Sequence, residues 1–249
     1  MKKGFKIGLK LWSTNGGLIK EAERLVKDGV FDYVELMVIP NTDILPFQNV
    51  KLPYIIHIPH ESFGLNIADP KNKELNLKIM NQSIEWADKL SAKYLILHPG
   101  SSGKMDAVKN FLEKISDKRI LIENMPKVGI NDEKMIGFTP EQIKELMEEK
   151  FGFCLDFGHA TKAALSLGVD YKKYIREFLI LNPKVFHISD GMISPGKDEH
   201  LNIGQGEYDI GFLLDCVENN DSKLTTLETP RNNLNSLKED LENIKKLIS

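Results

Sequence analysis

Cysteine is scarce in this chain. Cys154 and Cys216 are the only two in 249 residues, too few to brace a disulfide framework, so two buried thiols in a reducing compartment are expected. Neither sign of charge is in large excess. A net charge of −3 gives no overall attraction for nucleic acid, although a local basic stripe is compatible with it. No apolar run approaches the length of a membrane span, and "MKKGFKIGLKLW" is interrupted by lysines too often to form the apolar centre of a signal peptide. We therefore expect a cytoplasmic protein with no membrane partner. A Gly/Ser-rich linker, a low-complexity tract and a shift in composition are all missing, so residues 1–249 are expected to form one domain. The dinucleotide-binding glycine fingerprint is missing too: "GQG" near Gly206 lacks both the spacing and the preceding strand.

What is present is an alternation. β-rich runs recur as "KIGLKLWS", "YVELMVI", "YIIHIPH", "YLILHPGS", "RILIENMP", "FGFCLDFGHA", "VFHISDG" and "LTTLETP". Between them the apolar spacing predicts helices over 17–27, 75–90, 107–115, 171–179, 210–217 and 234–247. The stretch "PNTDILPFQNVKL" is poorly periodic. A further helix opens at "TPEQ", with Thr139 as N-cap, Pro140 in the first turn and Gln142 closing a capping box. Eight β/α units predict an α/β fold, a single closed (β/α)8 TIM barrel rather than an open sheet.

In such barrels the active site lies at the C-terminal ends of the strands. Polar residues gather there: His60, His98, Glu123, Asp156, His159, His187 and Glu228, joined by Asp198 and His200 from "GKDEHLNIGQGEYDIG". Singly, a histidine after a strand is more often a hydrogen-bonded structural group, and an acid there is often a helix cap. Jointly, five of the six histidines and four acids on one rim need cations to offset the repulsion. Imidazole and carboxylate without cysteine suit zinc or manganese. Asp198 and His200, two apart in an extended segment, face the same way and can clasp one ion. His57, inside the third strand, reads as a residue that supports the ligands or packs, and not as a ligand; Trp12 reads as a packing residue and Asp190 as an orienter or cap. A nucleic-acid footprint would draw on Lys104, Lys127, Lys162, Lys197 and Arg231, the obvious rim cations.

The motifs "PHESFGLNIADP", "LILHPGSS", "LIENMP", "CLDFGHA", "FHISDG", "DEHLNIGQG" and "LETP", in this order, resemble the endonuclease IV family of apurinic/apyrimidinic endonucleases. That family lies within the xylose isomerase-like barrel superfamily. The resemblance implies up to three zinc ions, with manganese as a substitute. His60 and His98 would hold the first ion and Glu123 would bridge to the second. Asp156, His187 and Glu228 would complete the second, and His159, Asp198 and His200 the third. It implies hydrolysis of a phosphodiester, at abasic sites in DNA or in a related phosphoester. Glu123 and Glu228 would then stand in the catalytic centre, with Phe63 and Arg231 against the substrate.

Three positions depart from the family pattern: "VIPNTDILPF" has no arginine, Phe63 replaces an expected tyrosine, and Glu199 replaces a common arginine. Glu35, in "YVELMV", is reminiscent of the sugar isomerases and epimerases of the same superfamily. Those use one metal, held by the equivalents of Glu123, Asp156, His187 and Glu228, on a small sugar or sugar phosphate. His60, His98, Asp198 and His200 would be idle in such an enzyme, which favours the phosphodiesterase.

Overall fold

The structure is a computed structural model that describes residues 4–248. Eight parallel strands close into a barrel in sequence order, β8 pairing back onto β1. They are β1 (Lys6–Trp12), β2 (Tyr33–Met37), β3 (Tyr54–His57), β4 (Leu95–Leu97), β5 (Ile120–Glu123), β6 (Gly152–Asp156), β7 (Val185–Ile188) and β8 (Leu224–Leu227). The helices outside are α1 (Ile19–Lys27), α2 (Leu45–Gln48), α3 (Lys73–Lys89), α4 (Met105–Leu112), α5 (Pro140–Met147), α6 (Phe157–Leu167), α7 (Tyr171–Leu179), α8 (Ile210–Glu218) and α9 (Lys238–Leu247).

The two-residue period of a strand divides these sequences between two environments. One set, including Leu9, Leu36, Ile56, Leu97, Ile122, Leu155 and Phe186, packs against the helices in the main core. The other set points into the barrel. There Tyr33, Ile55, Ile96, Leu121, Cys154 and Val185 make a separate apolar plug. Gly8 faces it because a Cβ at that position would come within 2.3 Å of the Tyr33 ring. Two residues further along each of those six strands stand Glu35, His57, His98, Glu123, Asp156 and His187. One step of the pleat therefore carries the interior from a dry floor to a charged layer.

The helices depart from expectation in three places. The expected 234–247 helix begins only at Lys238. The Gln142 side chain accepts from Gly137 N–H (2.9 Å) and Phe138 N–H (3.1 Å) rather than closing the box on Thr139, although Thr139 Oγ1 does accept from Gln142 N–H at 3.3 Å. More consequentially, "FGHATKAALSL" is helix α6, starting directly at the end of β6. Asp156 caps it, its Oδ1 accepting the His159 N–H at 2.7 Å, so Asp156 is both a strand-end acid and a helix cap.

Candidate metal centre

Glu123 is the hub. It is wholly buried, and four imidazoles surround it. His187 Nδ1 and His159 Nδ1 lie 3.1 and 3.4 Å from Oε1, while His98 Nε2 and His57 Nε2 lie 3.1 and 3.4 Å from Oε2. His57, expected to support the ligands or to pack, faces the centre, because it occupies the inward position of β3 at the level of Glu123. His60 lies beyond the strand end, its ring stacked on that of His98 at 5.4 Å between centroids. Glu123, Asp156, His187 and Glu228 each offer a ligand atom within 4.8 Å of the others.

A second layer fixes the tautomers. His187 Nε2 donates to Glu35 at 3.0 Å, leaving Nδ1 turned toward the carboxylates. Glu35 also accepts from Thr226 Oγ1 at 2.6 Å and from Lys10 Nζ at 2.6 Å, and Lys10 reaches on to Glu228. His57 Nδ1 donates to the Ile58 carbonyl and His159 Nδ1 to the Asn124 carbonyl, both at 2.9 Å. Such partners orient metal-binding imidazoles.

The loop between β7 and α8 brings Asp198 and His200 to the same place. Asp198 Oδ2 lies 3.7 Å from His159 Nε2 and 3.8 Å from His200 Nδ1, and His200 Nε2 lies 3.4 Å from Glu228 Oε2. Asp156, His159 and His200 form a further tight group. The base of the loop is tied by Asp190, whose carboxylate accepts from the N–H groups of Gly191, Gly204, Gly206 and Tyr208 at 2.9–3.1 Å.

Gly158 makes room for Asp198: a Cβ there would come within 2.6 Å of Oδ2. Gly158→Ala is expected to push Asp198 out and to weaken the ion held by His159, Asp198 and His200 about tenfold or more. Metal titration of the apo variant checks this, and wild-type affinity would refute the crowding argument.

Do these residues fit cations? Five carboxylates, Glu35, Glu123, Asp156, Asp198 and Glu228, meet one ammonium, Lys10, within this layer. Among the described residues, the buried atoms Glu123 Oε2, Asp198 Oδ2 and His98 Nδ1 have no hydrogen-bond partner. His57 Nε2, a bare lone pair once Nδ1 donates to a carbonyl, faces the Glu123 oxygen. Acceptor facing acceptor in a buried site is what a cation resolves. The donor set fits.

Titration follows from the same crowding. Burial pushes the Glu123 carboxyl up, but His187 and His98 outweigh it and hold it well below the usual range. Burial opposes the His159 charge, yet Asp156, Glu123 and Asp198 raise it to about 10. Burial likewise opposes His200, and Asp198 and Glu228 raise it to about 9. Burial, with His98, His57 and Lys10, lowers His60 to about 3.

The apo protein at pH 7 therefore carries protons on His159 and His200 that a metal must displace. Metal binding at pH 7 is expected to release protons, and affinity to climb as pH rises toward 9–10. The stability that the raised His159 gives the apo fold is complete below about pH 6.5 and is lost as pH rises through about 10. Calorimetry in buffers of different ionisation enthalpy measures the release; none at all would contradict this charge state.

Above the centre opens a cavity of about 370 Å³, walled by His60, His98, Asp198, His200 and Glu228 on one side and by Trp12, Met125 and Ile130 among others. Two expected substrate contacts are elsewhere. Phe63 is not in the wall but packs edge-on against His60, 5.0 Å between centroids. Arg231 is buried, its guanidinium bound to Asp240 at 2.6 and 2.8 Å and to the Lys10 carbonyl, with Trp12 stacked at 5.3 Å. Interior partners claim Arg231, while Phe63 is half-buried beside a residue of the cavity wall.

The rim cations are also engaged. Lys127 donates to the Ser166 carbonyl, Lys197 pairs with Asp132 at 3.0 Å and Lys162 is sealed against Glu199. Lys104 lines a separate surface recess.

Comparison with known proteins identifies the family and the fold. Residues 47–247 match the family model of the xylose isomerase-like TIM barrel. The probable endonuclease 4 of Mycoplasmopsis synoviae (strain 53) is 29% identical over 219 residues, covering 79% of this chain and 77% of that protein. Two solved structures share the fold: a D-tagatose 3-epimerase-like protein (TM-score 0.74, 20% identity) and the endonuclease IV of Thermus thermophilus (TM-score 0.72, 21% identity). Each match covers 98% of this chain and 97% of the other. The chain belongs to the xylose isomerase-like TIM barrel family, among the relatives of endonuclease IV.

Proposed function

We propose that the chain is a metal-dependent phosphodiester hydrolase of the endonuclease IV kind, loaded with zinc at up to three positions, or with manganese. Its substrate on this reading is DNA at abasic sites or a related phosphoester. The observation that carries the proposal is the Asp156, His159, Asp198 and His200 group beside the Glu123, Asp156, His187 and Glu228 quartet. A one-metal sugar isomerase needs only the quartet. Glu35, on which that alternative leans, does not front the cavity: it is buried under His187 and committed to Lys10, Thr226 and His187.

When bound, the cations supply positive charge to the non-bridging and leaving oxygens of the reacting phosphoryl group. His60, His98, Glu123, Asp156, His159, His187, Asp198, His200 and Glu228 would hold them, with His57 beside Glu123. Glu123, sealed beneath the imidazoles, would hold cations without meeting substrate. Glu228 does reach the cavity, with Lys10 on Oε1 and His200 near Oε2. On this reading it would stand beside the reacting group as one of the carboxylates that hold the cations. Cys154 is buried as expected and Cys216 only half-buried; among the described residues no helix is long and apolar enough to cross a membrane, and a cytoplasmic setting stays part of the proposal.

The test is cleavage of an abasic-site duplex by zinc-loaded protein beside the double variant Asp198→Ala/His200→Ala. Cleavage that requires both residues supports the hydrolase. An intact duplex with all sites filled moves the substrate to a smaller phosphoester, and saturation by a single ion returns the chain to the isomerases.

A further inference from the structure

Lys162 follows His159 by three residues on α6 and is fully buried. Its ammonium donates to the Met192 carbonyl at 3.0 Å, the Ser194 carbonyl at 3.2 Å and the Glu199 carboxylate at 2.8 Å. Three N–H groups meet three acceptors, all in the loop between β7 and α8. Helix α6 thus grips the tip of that loop, while Asp190 ties its base.

Glu199 lies between the two residues that face the centre. Its side chain is 35% exposed, whereas that of Asp198 is 5% exposed. Glu199 lies against α6, while Asp198 Oδ2 lies 3.7 Å from His159 Nε2 and His200 Nε2 lies 3.4 Å from Glu228 Oε2, so the side chain between them is held on the other side of the loop. His200 sits at φ 47° and its N–H donates to Asp198 Oδ1 at 3.1 Å, so the two centre-facing residues share one local turn. The remaining side-chain ion pair at the tip, Lys197 with Asp132, is exposed, and such pairs fix little.

We propose that Lys162 and Glu199 form a positioning pair that presents Asp198 and His200 to the metal centre. The pair touches neither substrate nor metal; it lowers the entropy lost when the ion closes the loop. The proposal rests on the metal reading above, and its test separates the two.

Amide hydrogen exchange over residues 191–203 is measured in metal-free protein for wild type, Lys162→Met and Glu199→Ala. Zinc affinity is measured on the same proteins by dialysis with metal analysis. Loop exchange is expected to rise roughly tenfold or more in both variants. The most weakly held zinc should lose about 10–100-fold in affinity while the quartet keeps its ion. Glu199→Ala changes a side chain at the surface, so it reports even if Lys162→Met fails to fold. Unchanged loop exchange in Glu199→Ala, with zinc affinity indistinguishable from wild type, overturns the pairing. Faster exchange in a chain that binds no zinc upholds the pairing and removes the metal reading instead.

Discussion

On the hydrolase reading, Glu123→Gln is expected to lower kcat/KM for phosphodiester cleavage by about 10²–10³-fold, with loss of bound metal, the range found when a charge-stabilising group is removed from an active site. Glutamine keeps the shape and one acceptor oxygen but removes the charge that four imidazoles and the neighbouring carboxylates are arranged around. Three clusters lose a member at once: that with His57 and His98, that with Cys154 and His187, and the quartet with Asp156, His187 and Glu228. The fold should survive, because Glu123 is surrounded by rings that pack on one another as well as on it. Metal analysis alongside turnover decides the matter. A variant with wild-type metal content and activity would mean that Glu123 is a structural acid and that the centre lies elsewhere.

Arg231→Ala is expected to cost about 3–5 kcal/mol of stability, the usual penalty for removing one partner of a buried pair. Asp240 is only 2% exposed and would be left charged with no counter-ion. Burial already pushes the Asp240 carboxyl above its ordinary 3.8 even with the arginine in place, and the variant would push it further. Because the folded variant then binds its proton more tightly than the unfolded chain, the deficit is full at neutral pH and shrinks as pH falls toward about 4. Urea unfolding at neutral pH and at mildly acidic pH measures both. The salt dependence of activity should not change, since the guanidinium does not front the cavity; a flattened slope would restore Arg231 to the substrate.

The barrel and most of its centre could be read from residues alone, because both obey the pleat. Alternating apolar runs predict strands, and the residue one step beyond the plug is a ligand type on strand after strand. Asp198 and His200 were legible for the same reason, being two apart in a segment that cannot be a helix. Helix α6 was not. Its first turn, "FGHA", carries a glycine and a histidine that suggest a loop, and the capping role of Asp156 shows only once His159 N–H is seen on its carboxylate. The departure at Glu199 gained a reason only when Lys162, 37 residues earlier, was found against it.

By itself the sequence determined the strand order of residue types, the stock of imidazoles and carboxylates, and the shortage of cations to balance them. Those are local or compositional properties, fixed by periodicity and charge. Tertiary structure alone decided that Arg231 turns into packing, that Phe63 leans on His60 outside the cavity wall, and that Glu35 lies under His187 instead of in the cavity. These outcomes depend on which distant atoms arrive within hydrogen-bonding reach when the sheet closes. A side chain's chemistry says what it can bind; only closure of the barrel says what is there to be bound.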